Sequence, residues 1–128
     1  MGARPSPAQH KLTPVRFAPI LVLTLTLACA SAQTADTLYF GTGRAGAAAI
    51  SESEWQQFVR EVIAPRMSGF TEWTARGVWK GTAEETHVVM FVGNGGDETA
   101  IRQIIDEYKR RFAQEAVLRV RSRVRATF

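Results

Sequence analysis

The sequence predicts an α+β fold with the element order β-α-β-β-α-β. It is read as a two-layer, ferredoxin-like sandwich: a four-stranded antiparallel sheet with both helices on one face. Three observations carry this. Two segments place apolar residues at helical spacing. Four segments rich in Val, Thr and aromatic residues alternate with them. The third of these, Thr86 to Val92 (THVVMFV), is apolar at both parities, which is the pattern of a central strand.

The elements follow in order. Gln33 to Asp36 reads as a short polar lead-in, and the domain as residues 37–128. Thr37 to Gly41 (TLYFG) is a strand that runs into a Gly-rich loop. Ser51 and Glu54 form a capping box, with Ile50 and Trp55 at the two positions of a hydrophobic staple. Trp55, Phe58, Val59, Val62 and Ile63 make one apolar helical face, and Pro65 ends the helix. Phe70 to Lys80 is the second strand, and Lys80 to Thr86 a polar hairpin connection with Glu84 and Glu85 at its tip. After the third strand, Gly93 to Gly96 is a turn and Asp97 caps a second helix. The buried stripe of that helix is Ile101, Ile104, Ile105, Tyr108 and Phe112. Glu98 with Arg102, and Asp106 with Arg110, are i,i+4 pairs on its wet face. Val117 to Phe128 is the last strand. This order makes the first and third strands central and leaves one sheet face open.

Residues 1–32 read as a secretory signal. Arg4, Lys11 and Arg16 form a basic leader, and Phe17 to Ala28 (FAPILVLTLTLA) is an uncharged apolar run. Ala30-Ser31-Ala32 is a small-x-small cleavage site. The run is too short for a spanning helix. Two processing routes fit: cleavage after Ala32, or lipidation at Cys29, which is preceded by Leu27-Ala28. The expected address is periplasmic or extracellular, with membrane attachment only through that lipid. Under either route the folded domain has no thiol within it, hence no disulfide and no cysteine nucleophile.

The leader also accounts for the basic balance. Thirteen of the 16 basic residues and all 12 acids lie after Gln33, which leaves the domain near +1. A nucleic-acid partner is therefore not expected. The third strand also lacks the basic-Gly-aromatic start of an RNA-recognition motif.

Gly41-Thr42-Gly43-Arg44-Ala45-Gly46 matches G-x-G-x-x-G after a strand. A dinucleotide site needs the third glycine on the helix, whereas this helix is capped five residues later. The segment reads as a flexible loop, or as a small anion site that uses Arg44. Arg119, Arg121, Arg123 and Arg125 alternate along the last strand, so all four guanidinium groups share one face, about 7 Å apart. Two readings stand: an edge guarded against aggregation, or a surface for an anionic envelope ligand or acidic partner. His87 is the only histidine after the leader and reads as structural. No cofactor and no metal site is expected.

One set of residues resembles a known family. It comprises Leu38-Tyr39-Phe40-Gly41-Thr42-Gly43, Ile50-Ser51-Glu52 with Glu54-Trp55, Pro65-Arg66, and Gly77 with Trp79. Tyr108-Lys109 with Phe112, Gln114, and Val117-Leu118-Arg119-Val120 complete it. Together they resemble small exported bacterial proteins known as a domain of unknown function, of the DUF3574 type. The resemblance implies a periplasmic or envelope protein, often lipidated, and carries over no catalytic residue. The chain departs from the family in a more basic tail and in lacking a cysteine near its end.

These readings favour a non-enzymatic envelope binding module. The alternative is a small-molecule enzyme of the dimeric α+β barrel type, with a pocket on the open sheet face. The open face is also expected to carry a homodimer interface built on Tyr39, Val89 and Phe91. The arginine ladder would rim it, with Glu72 as the acid across it.

Overall fold

The computed structural model describes residues 1–3, 33–93 and 97–127. The leader with Cys29, and the turn after Gly93, lie outside the described residues. The observed order is β1 (Gln33–Gly41), α1 (Glu52–Phe58, continued by a π-helical turn, Val59–Ile63), β2 (Thr71–Trp79), β3 (Thr82–Gly93), α2 (Glu98–Phe112) and β4 (Leu118–Val124). The sheet is antiparallel with strand order β2-β3-β1-β4, so β1 and β3 are central. The fold is the ferredoxin-like α+β sandwich that the element order predicts.

The helix starts as its sequence dictates. The Ser51 side chain accepts from the Glu54 amide, and the Glu54 carboxylate accepts from the Ser51 amide. Ile50 and Trp55 are both buried, as a staple requires. The core lies between the helices and one sheet face. Leu38 and Phe40 of β1, and Val89 and Phe91 of β3, meet Trp55, Phe58, Ile63, Ile101, Ile104 and Tyr108 there. Phe40 packs 4.7 Å from the Tyr108 ring and 5.3 Å from Trp55.

Four local expectations are corrected. β1 begins at Gln33, so the supposed polar lead-in is the first half of a central strand. Its polar residues suit that place because Asp36 is ion-paired. The β2–β3 connection is only Lys80-Gly81, both at positive φ (49° and 81°), which is the backbone of a two-residue type I′ turn. Glu84 and Glu85 therefore stand in β3, not at a tip. Asp97 makes no side-chain cap on α2. Finally, Glu98 pairs with Arg119 and Arg121 instead of Arg102, and Arg110 pairs with Glu107 instead of Asp106.

Candidate functional site

The strand register sorts the sheet into two chemically different faces. Alternation and the pairing of Leu38 with Val89 and Arg119 put these residues on the helix-covered side. The other parity forms the open face. One row runs right across it: Leu118, Tyr39, Val88 and Trp73, each directly opposite the next. The neighbouring row is Val120, Thr37, Met90 and Thr71. Val88, wedged between Tyr39 and Trp73, is fully buried. The ends of the rows stay wet, with Leu118 58%, Trp73 43% and Val120 46% exposed. Trp79, 52% exposed, extends the same face along β2.

Among the described strand residues, the open face carries one charge, Glu84. That carboxylate is turned onto the loop after β1, where it accepts from the Gly43 amide at 2.8 Å. A Cβ on Gly41 would lie 2.5 Å from it, and one on Gly43 would lie 2.7 Å away. The glycines of the G-x-G pattern leave room for this chain's own carboxylate, which a side chain there would push aside. Tyr108 donates to the Gly41 carbonyl from the other side, which fixes the loop further. Burial raises the Tyr108 pKa and keeps it a donor.

The helix-covered side holds the charges. Asp36, almost wholly buried, accepts from Arg119 Nε at 2.8 Å and from Arg121 at 2.9 and 3.0 Å. Arg119 also grips Glu98, the first residue of α2, through both terminal nitrogens at 2.8 and 2.7 Å. Burial alone would raise Asp36. The hydrogen bonds and charges of Arg121 and Arg119 outweigh it, and Asp36 sits below its ordinary value. Glu98 is held at about 2, chiefly by the hydrogen bond from Arg119. Arg123 lies on the same strand face, and Arg125 follows β4, both exposed.

Arg44 reaches Glu54 at 2.7 Å and lies over the Phe112 ring. Arg111 reaches Glu61 at 2.8 Å and lies over Phe58. Between these pairs is a groove of about 360 Å³ lined by Arg44, Glu54, Gln57, Glu61, Arg111 and Phe112. Each arginine there has its own carboxylate, so the groove is charge-balanced. His87 stacks flat on Trp55, 4.3 Å between ring centres, with its Nε2 buried and unpartnered. Burial lowers its pKa against the opposing pull of Glu52, Glu85 and Glu72. This is the structural histidine that the sequence suggests.

The sequence-derived candidates therefore separate. Tyr39 does lie on the open face, half-buried. Val89 and Phe91 do not: they are 0% and 3% exposed in the core beneath the helices, because the helix layer covers the odd-numbered residues of β3. Val88 and Met90 take their place. The arginine ladder points to the helix side, so Arg119 and Arg121 cannot rim an open-face interface. Their acids are Asp36 and Glu98. Glu72 instead accepts from Trp55 Nε1 at 3.2 Å. What sequence reading missed is the acid half of the network. Asp36 shares the parity of Leu38 and Phe40, and that was the available signal.

Among proteins of curated function, none matches this chain. Of solved structures, it is similar to a phage SAM lyase in its apo state, with a TM-score of 0.49 at 14% identity, covering 78% of this chain and 87% of that one. It is also similar to CutA from Synechococcus elongatus PCC7942, with a TM-score of 0.46 at 14% identity, covering 76% and 80%. Residues 35–128 match the family described as protein of unknown function (DUF3574), and the chain belongs to that family.

Proposed function

We propose that this is an exported, non-enzymatic interaction module that works as a homodimer through its open sheet face. The observation that carries the reading is the segregation of charge. The open face displays Trp73, Trp79, Tyr39, Leu118 and Val120, and its one carboxylate is tied to Gly43. Tyrosine and tryptophan within an uncharged patch are common anchors of a protein interface. Among the described strand residues, an anionic ligand finds no cation there. The occupant that matches such a face is a second copy of it. Four strands of about nine residues span about 600 Å² in projection, and side-chain relief brings this towards the roughly 800 Å² per partner that a stable interface uses.

Two points favour binding over the alternative of a barrel-type enzyme. Among the described residues, the groove lined by Arg44, Glu54, Gln57, Glu61, Arg111 and Phe112 and the one lined by Ala75, Arg76, Ala83, Glu84 and Glu85 both lie off the row Leu118–Tyr39–Val88–Trp73. The buried acid of the helix side, Asp36, and its neighbour Glu98 are both matched by Arg119 and Arg121 in ion pairs. The export part of the proposal rests on the basic leader, apolar run and small-residue cleavage site of residues 1–32.

The test is mass in solution. Leu118→Glu places a charge at an exposed position on the open face and leaves the core untouched. It should halve the mass seen by light scattering at micromolar concentration while the melting temperature stays within a few degrees. An unaltered mass removes the open face as an interface. Phe91, being core, is unsuitable for this purpose. Residues 1–36 fused to a periplasm-dependent reporter should confer export, and a reporter held in the cytoplasm removes that part.

A further inference from the structure

We infer that β2 is a self-pairing edge: two copies of the chain join β2 to β2 in antiparallel register about Thr74, through a two-fold axis perpendicular to the sheet. The inference stands on observations separate from the open face.

The first is the backbone. β2 is an edge strand of nine residues, Thr71–Trp79, hydrogen-bonded on one side only, to β3. It holds no proline. The two-residue turn makes Trp79 and Thr82 a hydrogen-bonded pair. By alternation Gly77, Ala75 and Trp73 bond inward to β3, and Val78, Arg76, Thr74 and Glu72 turn their N–H and C=O groups outward. That outward row is a ready template for another strand.

The second is the sequence of that row. Only a register in which outward residues meet outward residues forms a ladder. In the register centred on Thr74, Thr74 meets its own copy. Glu72 then meets Arg76 of the second copy, and Arg76 meets Glu72 of the second copy. The strand's one acid and one base are thus placed to complement themselves twice over, which is what an isologous contact demands. Shifting the centre by one residue, to Ala75, sets Glu72 against Val78 and Thr74 against Arg76. Within the chain, Glu72 gives one oxygen to Trp55 Nε1, which steadies it and leaves the other oxygen for a partner.

The third is access. β2 is exposed on its helix side as well, at Glu72, Thr74, Arg76 and Val78. The helices pack over β1 and β3 and reach β2 at Glu72 through Trp55, so the outward row from Thr74 to Val78 stays open to a second β2. The perpendicular axis keeps both open faces on the same side and yields one eight-stranded sheet. Combined with face-to-face packing about an axis that crosses this one, it gives a tetramer of D2 symmetry.

Light scattering on the purified protein tests this. Arg76→Glu sets like charges opposite each other twice and should halve the mass. The swapped double variant Glu72→Arg/Arg76→Glu should restore it. Thr74→Pro removes an outward N–H without costing a ladder bond to β3, and should also halve the mass while the fold survives. Mass unchanged in both Arg76→Glu and Thr74→Pro overturns the proposal. Loss without rescue in the double variant, with the near-UV circular dichroism of the unmodified protein retained, overturns the register about Thr74. The open-face reading is separable: Leu118→Glu lies on β4, so if only that variant loses mass the edge proposal fails and the face proposal holds, and the reverse result does the opposite.

Discussion

At one edge of the sheet β4 carries Arg119, Arg121 and Arg123 on alternate residues. At the other, β2 runs nine residues with one acid and one base. The two edges face the same hazard, a row of unpaired backbone groups, and answer it differently. On β4 the guanidinium groups make a second strand of the same kind repulsive, and two of them are fastened to Asp36 and Glu98. That fastening also ties β4 to β1 and to the start of α2. On β2 no comparable guard exists. Among the described residues Arg76 enters no ion pair within 4.0 Å. The lesson is that an arginine ladder on an edge strand can be internal mortar, whereas a sparsely charged edge is the one open to company.

The largest break in this comparison is Asp36→Ala. It leaves two guanidinium groups partly buried beside each other with one shared carboxylate fewer. Removing one member of a buried pair costs 3–5 kcal/mol, and the partial exposure of both arginines reduces this to about 2 kcal/mol. Urea denaturation should show that loss, while Val78→Thr at the opposite edge, an exposed position, should stay within about 0.5 kcal/mol. Equal losses at both edges would mean that the Asp36 network is not what anchors β4.

Acid distinguishes the edges next. Glu98 is depressed from 4.5 to about 2, and Asp36 lies below its ordinary 3.8. A carboxylate with a lowered folded-state pKa contributes stability that is complete above its unfolded value and drains away as pH falls through the folded one. The β4 contribution should therefore hold down to about pH 4.5 and fall progressively towards pH 2. His87, lowered by burial, adds an earlier loss of the same sign, beginning below about 6.5. Comparing the urea midpoints of the unmodified protein and Glu98→Gln between pH 7 and pH 3 isolates the edge. The variant should lose less on acidification below 4.5, and parallel curves would contradict the network. A smaller effect than the loss of Asp36 is expected at the turn that sets the β2 register. Gly81 sits at φ 81°, and Gly81→Ala should cost about 1 kcal/mol, a fall of roughly 5 °C in melting temperature.

Much of the fold was legible in sequence because its signals are local. The capping box at Ser51 and Glu54, the stripe Ile101–Ile104–Tyr108–Phe112 and the two-sided apolar run of β3 each announce their element within a few residues. The failures share one cause: they depend on partners distant in sequence. Gln33 to Asp36 looks like a polar linker until Arg119 and Arg121 are brought beside Asp36. Glu84 looks like a solvated tip until β3 carries it to Gly41 and Gly43. The faces of β3 could not be assigned, because both parities are apolar and only the helix layer decides between them. So Tyr39 was placed correctly on the open face, while Val89 and Phe91 were exchanged with Val88 and Met90.

The placing of β1 also governs when the sheet can come together. This central strand opens the described domain, yet its neighbours are the third and the last strands, and Asp36 meets its arginines 83 and 85 residues further along. Closing contacts that distant is slow, and little of the sheet can assemble before they close. A chain that emerges from its N-terminal end carries the middle of its sheet first and must wait for nearly its last ten residues before that middle is flanked on both sides. Stopped a dozen residues short, it would be left with a strand-less edge on β1 and a buried carboxylate with nothing to hold.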